Sequence, residues 1–275
     1  MNRKTILIIS GWNRGLGLGI LRGFARTRGQ NLSVLAIARS EDPEASAELN
    51  RKTASFHPVS GDLSSTAHIT PLLAELTEHF HSCYSALSKS EQESLEVILV
   101  NNAAALGPIH PIGSIPDTLE WSEHAQKTFV LNCIAPALLS DWLCKTLESL
   151  DTPSLNREGI ILNISSGASK GPMSGAGVYS MSKAAVNLLS MTSSADFSAG
   201  RQKIQVLSIS PGMVETDMQK TLRAQNDAQF PNAEYFRSAS RNGDVKTATE
   251  IGNTIAEMDF RNYEPGSYVH VRDLS

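Results

Sequence analysis

The chain has 275 residues, 41% of them hydrophobic, which is enough to bury a large core near the upper size for one α/β domain. A net charge of −4 with no Arg/Lys block or basic stripe argues against a nucleic-acid partner. Only three cysteines occur, none in a C-x-x-C pair, which speaks against a disulfide framework and fits a reducing compartment.

The opening MNRKTILIIS is too short an apolar run for a signal peptide, and nothing approaches the ~20 residues needed to span a bilayer. The expectation is a soluble cytoplasmic protein without membrane contact. Sequons at Asn31 and Asn163 read as accidental, the second lying in a strand-like run.

In chain order, apolar runs predict strands at Thr5–Ser10, Leu32–Ala38, Ser55–Val59, Leu95–Val100, Gly159–Ser165, Lys203–Ser208 and Ser267–Val271. Between them, amphipathic stretches predict helices at Leu16–Arg28, Thr66–Leu87, Trp121–Leu147, Val178–Phe197 and Thr247–Met258. Runs such as TILIIS, VILV and GIILNIS are apolar on both faces, as strands covered by helices on both sides must be. The alternation predicts one α/β Rossmann-fold domain over residues 1–275, a doubly wound, mostly parallel seven-stranded sheet with helices on both faces. Residues 82–96 read as an exposed helix end and loop. The polar stretch 213–244 reads as an inserted helical flap over the substrate.

After the first strand, Gly11-Trp12-Asn13-Arg14-Gly15-Leu16-Gly17 opens a helix. Glycines belong where a backbone turns sharply against a pyrophosphate that faces a helix N-terminus. Ala38-Arg39-Ser40 ends the second strand, where an acidic residue would select NAD and an arginine accommodates the 2′-phosphate of NADP. Arg14 supplies a second guanidinium, and the expected cofactor is NADP(H).

Tyr179 and Lys183 are four apart in a helical stretch and share one face. A neighbouring ammonium is expected to lower the tyrosine pKa and suit it to proton exchange with a carbonyl or alcohol oxygen.

With Asp62, Asn101-Asn102-Ala103, Asn132, Ser166 and Pro211-Gly212 in order around that pair, the chain resembles the short-chain dehydrogenase/reductase family over nearly its whole length. The resemblance implies Tyr179 as acid/base, Ser166 on the substrate oxygen, Lys183 on the nicotinamide ribose and Asn132 supporting a proton-relay water. It places Asp62 at the adenine, Asn102 near the adenosine ribose and Thr216 at the nicotinamide amide. Leu63, Ala103, Ala104, Pro211, Gly212 and Val214 would complete the cofactor site with the loop residues and Ser40. Ser165 competes for the serine role, and the family's spacing to the tyrosine favours Ser166.

Ser10 stands where threonine is usual before the first glycine, and Ala104 replaces the glycine of N-N-A-G. Residues 211–219 and 266–271 carry a narrower likeness to the sepiapterin reductase and fungal benzil-reductase-like branch. The substrate side is expected at Ser166, Tyr179, Met213, Met218 and His270. His270 occupies the place of that branch's pterin-binding aspartate, with Asp273 close by. An aromatic or vicinal diketone is therefore expected rather than a pterin. Relatives pair through their long helices, which implies a homodimer or homotetramer.

Three other readings bear on the same residues. Gly167-Ala168-Ser169-Lys170-Gly171 matches a nucleophile elbow, but Pro172 and Gly175 follow where a helix must begin. His79 and His81 point to different sides of a helix and lack further ligands, so no metal is expected. An NADP-binding sensor without turnover has no need of Tyr179 and Lys183 together.

Overall fold

The computed structural model describes residues 3–150, 158–198 and 203–274. Seven strands, β1 (Thr5–Ser10), β2 (Leu32–Ala38), β3 (Ser55–Ser60), β4 (Glu96–Asn101), β5 (Glu158–Ile164), β6 (Lys203–Ser210) and β7 (Tyr268–His270), form one sheet in the order β3-β2-β1-β4-β5-β6-β7. Every pairing is parallel, so the expected mostly parallel sheet is parallel throughout.

The two-residue repeat of β1 feeds two separate cores. Leu7 and Ile9 pack on one face with Ile20 and Phe24 of α1 (Gly15–Arg28) and Ile251 and Ile255 of α10 (Ala248–Glu257). Ile6 and Ile8 pack on the other with Leu76 and Phe80 of α3 (Thr66–Ser85) and Leu139 and Leu143 of α6 (Ala135–Glu148). Burying each such side chain contributes about 1.5–3 kcal/mol, which explains why the central strands carry so few polar residues.

α1 and α10 meet backbone to backbone. A Cβ on Gly19 would fall 2.0 Å from the Ala248 carbonyl oxygen, and one on Gly252 would fall 2.1 Å from the Gly19 carbonyl carbon.

The structure departs from the expected elements at three places. The single helix expected over Trp121–Leu147 is two, α5 (Thr118–Phe129) and α6, joined by a π-helical turn at Val130–Ile134. Pro136 is the physical reason, because it brings no N–H to the turn behind it. A short α2 (Pro43–Lys52) follows β2, started by the Asp42 carboxylate, which accepts from the Glu44 and Ala45 N–H groups. Within the expected loop 82–96 lies α4 (Lys89–Glu93), opened by a capping box between Ser88 and Glu91. The longest helix, α7 (Gly177–Ser198), crosses behind β5 and β6.

The flap stretch holds α8 (Asp217–Ala224) and α9 (Ala233–Arg241) around Leu222, Phe230 and Phe236. A parallel bridge between Val214 and Lys246 closes its base. Among the described residues no helix is long and apolar enough to cross a membrane.

Candidate active site

The carboxyl ends of the strands open into one cleft of about 1320 Å³. It lies over the point where β1 leads to β2 on one side and β4 on the other, the switch point at which open α/β sheets bind ligands.

At one end the chain leaves β1 through Gly11, at φ +69°, and a Cβ on Gly17 would lie 2.0 Å from the Gly11 carbonyl oxygen. The loop is therefore drawn tight onto the start of α1. That helix begins at Arg14 with no side-chain cap and no acid in its first turn, whereas Asp42, Asp117, Thr216 and Thr247 cap the starts of α2, α5, α8 and α10. Uncapped N–H groups and the positive end of the helix dipole suit a phosphate anion. The cradle fits a dinucleotide.

Ser10 does the work expected of a threonine, its hydroxyl accepting the Asn102 and Ala103 N–H groups at 3.0 Å each. The Asn102 amide donates to the Ser10 and Gly11 carbonyls at 3.0 Å, which binds the end of β4 to the glycine loop. Asn102 lines the cleft, but its NH₂ braces the backbone.

Asn13 donates to the Ser40 carbonyl at 2.8 Å, and Arg39 stands exposed beside them on the cleft wall. Arg14 lies apart from Arg39 in its bonding: its guanidinium meets the Asp217 carboxylate at 3.3 Å, across the cleft on the first turn of α8. Burial tends to raise the Asp62 carboxyl, but the Ser64 hydroxyl at 2.7 Å, the Ser64 N–H at 2.9 Å and the Arg39 charge hold it below its ordinary value.

In the cleft, β5 is followed by two serines that bond in different directions. Ser165 donates to Asn187 on α7 at 2.6 Å. Ser166 accepts the Ala168 N–H at 3.2 Å and lies against the Tyr179 hydroxyl. Ser169 of the apparent elbow donates to the Ser166 carbonyl within a single 3₁₀ turn, so it is not a presented nucleophile.

Tyr179 and Lys183 are both buried on the inner face of α7, with the lysine nitrogen 5.8 Å from the tyrosine ring centre. The ammonium donates to the Ile164 carbonyl at 2.7 Å. Burial pushes the Lys183 pKa down to about 8. Burial also pushes the Tyr179 hydroxyl up, with the Ser166 hydroxyl as the opposing influence. The expected lowering of Tyr179 by Lys183 is therefore not what this geometry produces. Desolvation dominates, and the lysine charge is directed to a carbonyl.

Asn132 sits in the π-helical turn with its whole amide engaged. It accepts from the Ala105 N–H and donates to the Ala105 carbonyl, both at 2.9 Å, and donates to the Ser182 hydroxyl at 2.9 Å. Ser182 in turn donates to the Tyr179 carbonyl. Its side chain thus braces the loop after β4 against the helix bearing Tyr179. Thr216 likewise spends its hydroxyl on capping α8.

Beyond Tyr179 the wall is apolar: Leu106, Met173, Met213, Met218, Leu222 and Phe236 join one cluster. His270 lines this part, as expected, and Asp273 does not. Three lining residues escaped the sequence reading: His124 and Lys127 on α5, and Arg272 two residues past β7. Their only sequence signal was position on a helix face or in a terminal turn.

Among the described residues no group of three metal-ligating side chains comes together, and His79 instead packs its ring 4.8 Å from that of His57.

Fold and cleft together define an oxidoreductase of the dinucleotide-binding type. A family model described as short chain dehydrogenase matches residues 4–227, and the chain belongs to that family, whose members bind a nicotinamide cofactor and act on small molecules. A benzil reductase forming (S)-benzoin, from Bacillus subtilis, is 24% identical over 261 residues, covering 94% of this chain and 99% of that protein. A sepiapterin reductase from Bos taurus is 30% identical over 231 residues, covering 80% of this chain and 76% of that one. Among solved structures, L-sorbose reductase from Gluconobacter frateurii, complexed with NADPH and L-sorbose, superposes with a TM-score of 0.73 at 21% identity. That match covers 98% of this chain and 95% of the other.

Proposed function

We propose that the protein is an NADP(H)-dependent reductase of ketones or diketones, running in either direction between carbonyl and alcohol. The observation that carries this reading is the meeting of Ser166, Tyr179 and Lys183 in one buried stretch of the cleft, between a phosphate cradle and an apolar wall.

A reduced nicotinamide bound there supplies hydride to the carbonyl carbon. Ser166 and Tyr179 present their hydroxyls to the oxygen on which negative charge grows, and Tyr179 gives up its proton to it. A tyrosine kept protonated by burial is poised as the acid of the reducing direction. Lys183, with a pKa of about 8, holds the nicotinamide ribose and returns a proton towards Tyr179. Asn132 holds Ala105 and Ser182 in place, so it positions the helix face that carries Tyr179.

Gly11–Gly17 and the first turn of α1 take the pyrophosphate, and Asp62, Leu63, Asn102 and Ala103 line the adenosine side. Arg39 and Ser40, with Arg14 lining the same cleft, favour the 2′-phosphate of NADP over NAD. Residues 213–244 close the substrate side. Exposed Ile134, Leu138, Met181 and Leu188 on the outer faces of the π-turn, α6 and α7 support pairing of two copies through these helices. The reading keeps the protein in the cytoplasm.

The test is nicotinamide oxidation by the purified protein with NADPH or NADH and a panel of benzil, other diketones, quinones and sepiapterin. Consumption preferring NADPH is expected. Tight NADPH binding without turnover on any carbonyl would favour a sensor instead.

A further inference from the structure

We propose that the physiological substrate is a hydroxy ketone, and that the Gln219 side chain binds its hydroxyl. The inference rests on the reductase reading and names its substrate class.

Gln219 reaches the cleft from the first turn of α8, three residues after Thr216. Its backbone N–H donates to the Thr216 hydroxyl that caps the helix. Its side chain is only 7% exposed, and among the described residues its Oε1 has no hydrogen-bond partner. Folded proteins rarely leave a buried amide oxygen without a donor, because it has given up water for nothing. On the wall of a ligand cleft, such an atom calls for a donor that the ligand brings.

The helix decides which end of the cleft this concerns. Successive residues turn by about 100°, so Gln219 lies roughly 200° round α8 from Asp217. Asp217 is the residue that meets Arg14, at the dinucleotide end. Leu222, three residues on, shares the face of Gln219 and packs in one cluster with Tyr179, Leu106 and Phe236. Met218, its neighbour in the chain, packs against the same cluster. The amide therefore belongs to the side of the cleft that holds Tyr179.

The chemistry around it is one-sided. The cluster carries a single polar side chain, Tyr179, and its hydroxyl lies against Ser166. No other side chain of the cluster can donate to Gln219. A second neutral amide, Asn232, lines the cleft where α9 begins and makes no capping bond there. A simple ketone or a diketone brings acceptors alone and leaves Oε1 without a partner. A hydroxyl donates to the amide oxygen and accepts equally well from an amide NH₂, so it suits either side of the group. Reduction then yields a diol: hydride goes to the carbonyl carbon, the Tyr179 proton goes to its oxygen, and the hydroxyl on Gln219 is unchanged.

The experiment compares 2-hydroxyacetophenone and 3-hydroxypropiophenone, each with its methyl ether, using NADPH and the full-length parent, Gln219→Leu and Gln219→Glu proteins. In the parent, at least one hydroxy ketone is expected to exceed its ether in kcat/KM by roughly ten-fold, the worth of one buried hydrogen bond. Gln219→Leu should cost that hydroxy ketone about the same factor and leave its ether, and the NADPH Kd, within about two-fold. Gln219→Glu keeps an acceptor at the same reach and should retain part of the preference.

Equal rates for hydroxy ketones and ethers in the parent would overturn the inference while leaving the reductase reading intact. So would a Leu variant that loses hydroxy ketone and ether alike, since that marks a structural role, or one that weakens NADPH, since the amide would then serve the cofactor. Consumption of no ketone at all, benzil included, would overturn both.

Discussion

The Lys183 ammonium donates to the Ile164 carbonyl at 2.7 Å in a place where the lysine is only 3% exposed, on the strand that also delivers Ser166. One hydrogen bond fixes the spacing between the end of β5 and the face of α7 that carries Tyr179. It also obliges a charge to sit away from water, at a cost to stability.

That cost has a pH signature. Burial lowers the Lys183 pKa from 10.5 to about 8. Below pH 8 the lysine is charged in folded and unfolded chains alike, and the penalty is present in full. Between about 8 and 10.5 the folded protein releases its proton first, so stability contributed by this group rises with pH. Lys183→Met removes the effect. The melting temperature of the variant relative to the parent should be highest near pH 7 and fall by about pH 9.5, as measured by thermal unfolding across that range. A constant difference would mean the lysine is not so perturbed.

Tyr179→Phe should cut kcat for ketone reduction by at least ~100-fold, the lower end for loss of a general acid. NADPH affinity should stay within about two-fold, because the phenyl ring keeps the buried packing. Fluorescence titration and steady-state rates separate the two. Unchanged turnover would remove Tyr179 from the chemistry.

Arg39→Asp should raise the NADPH Kd by about ten-fold or more and leave NADH no weaker. Asp217→Asn should release Arg14 from its ion pair and tighten NADPH by a few fold, a small effect because both groups are more than half exposed. If NADPH and NADH bind the parent equally, the arginines do not read the 2′-phosphate.

Ser10→Ala should destabilise the fold by about 1–3 kcal/mol in urea titration, since two N–H groups at the end of β4 lose their acceptor. Ser10→Thr keeps the hydroxyl and should stay within about 1 kcal/mol of the parent. Equal loss in both would point to crowding by the added methyl.

The sheet was legible because its strands are extreme cases. β1 and β4 are buried on every residue, which only a doubly covered parallel strand requires. The glycine loop and the Tyr179–Lys183 pair, weak signals by spacing alone, were legible because Asp62, Asn102, Asn132, Ser166 and Pro211-Gly212 stand in the family's order around them. Hydrogen-bond partners were not. Arg14 reads as a phosphate ligand, and nothing in the sequence shows that the fold also brings Asp217, distant in sequence, against it. The bonds by which Asn132 braces Ala105 and Ser182 likewise left no mark in the sequence. Asp42-Pro43 and Pro136 did carry the start of α2 and the break before α6, as capping and missing-donor signals hidden by the search for apolar periods. Arg272 left no pattern, because a turn two residues past a strand has no period to match.

The bridge between Val214 and Lys246 holds the flap at its two ends: Glu215 N–H donates to the Lys246 carbonyl at 2.8 Å, and Lys246 N–H donates to the Met213 carbonyl at 3.0 Å. Immediately after this neck comes α10, seated against α1 glycine to glycine. The neck sets where the insert begins and ends, while inside it α8 meets α1 through Asp217 and Arg14, and Leu222, Phe230 and Phe236 pack in one cluster with Tyr179. A change inside the insert therefore reaches Tyr179 directly, through the apolar cluster the two share.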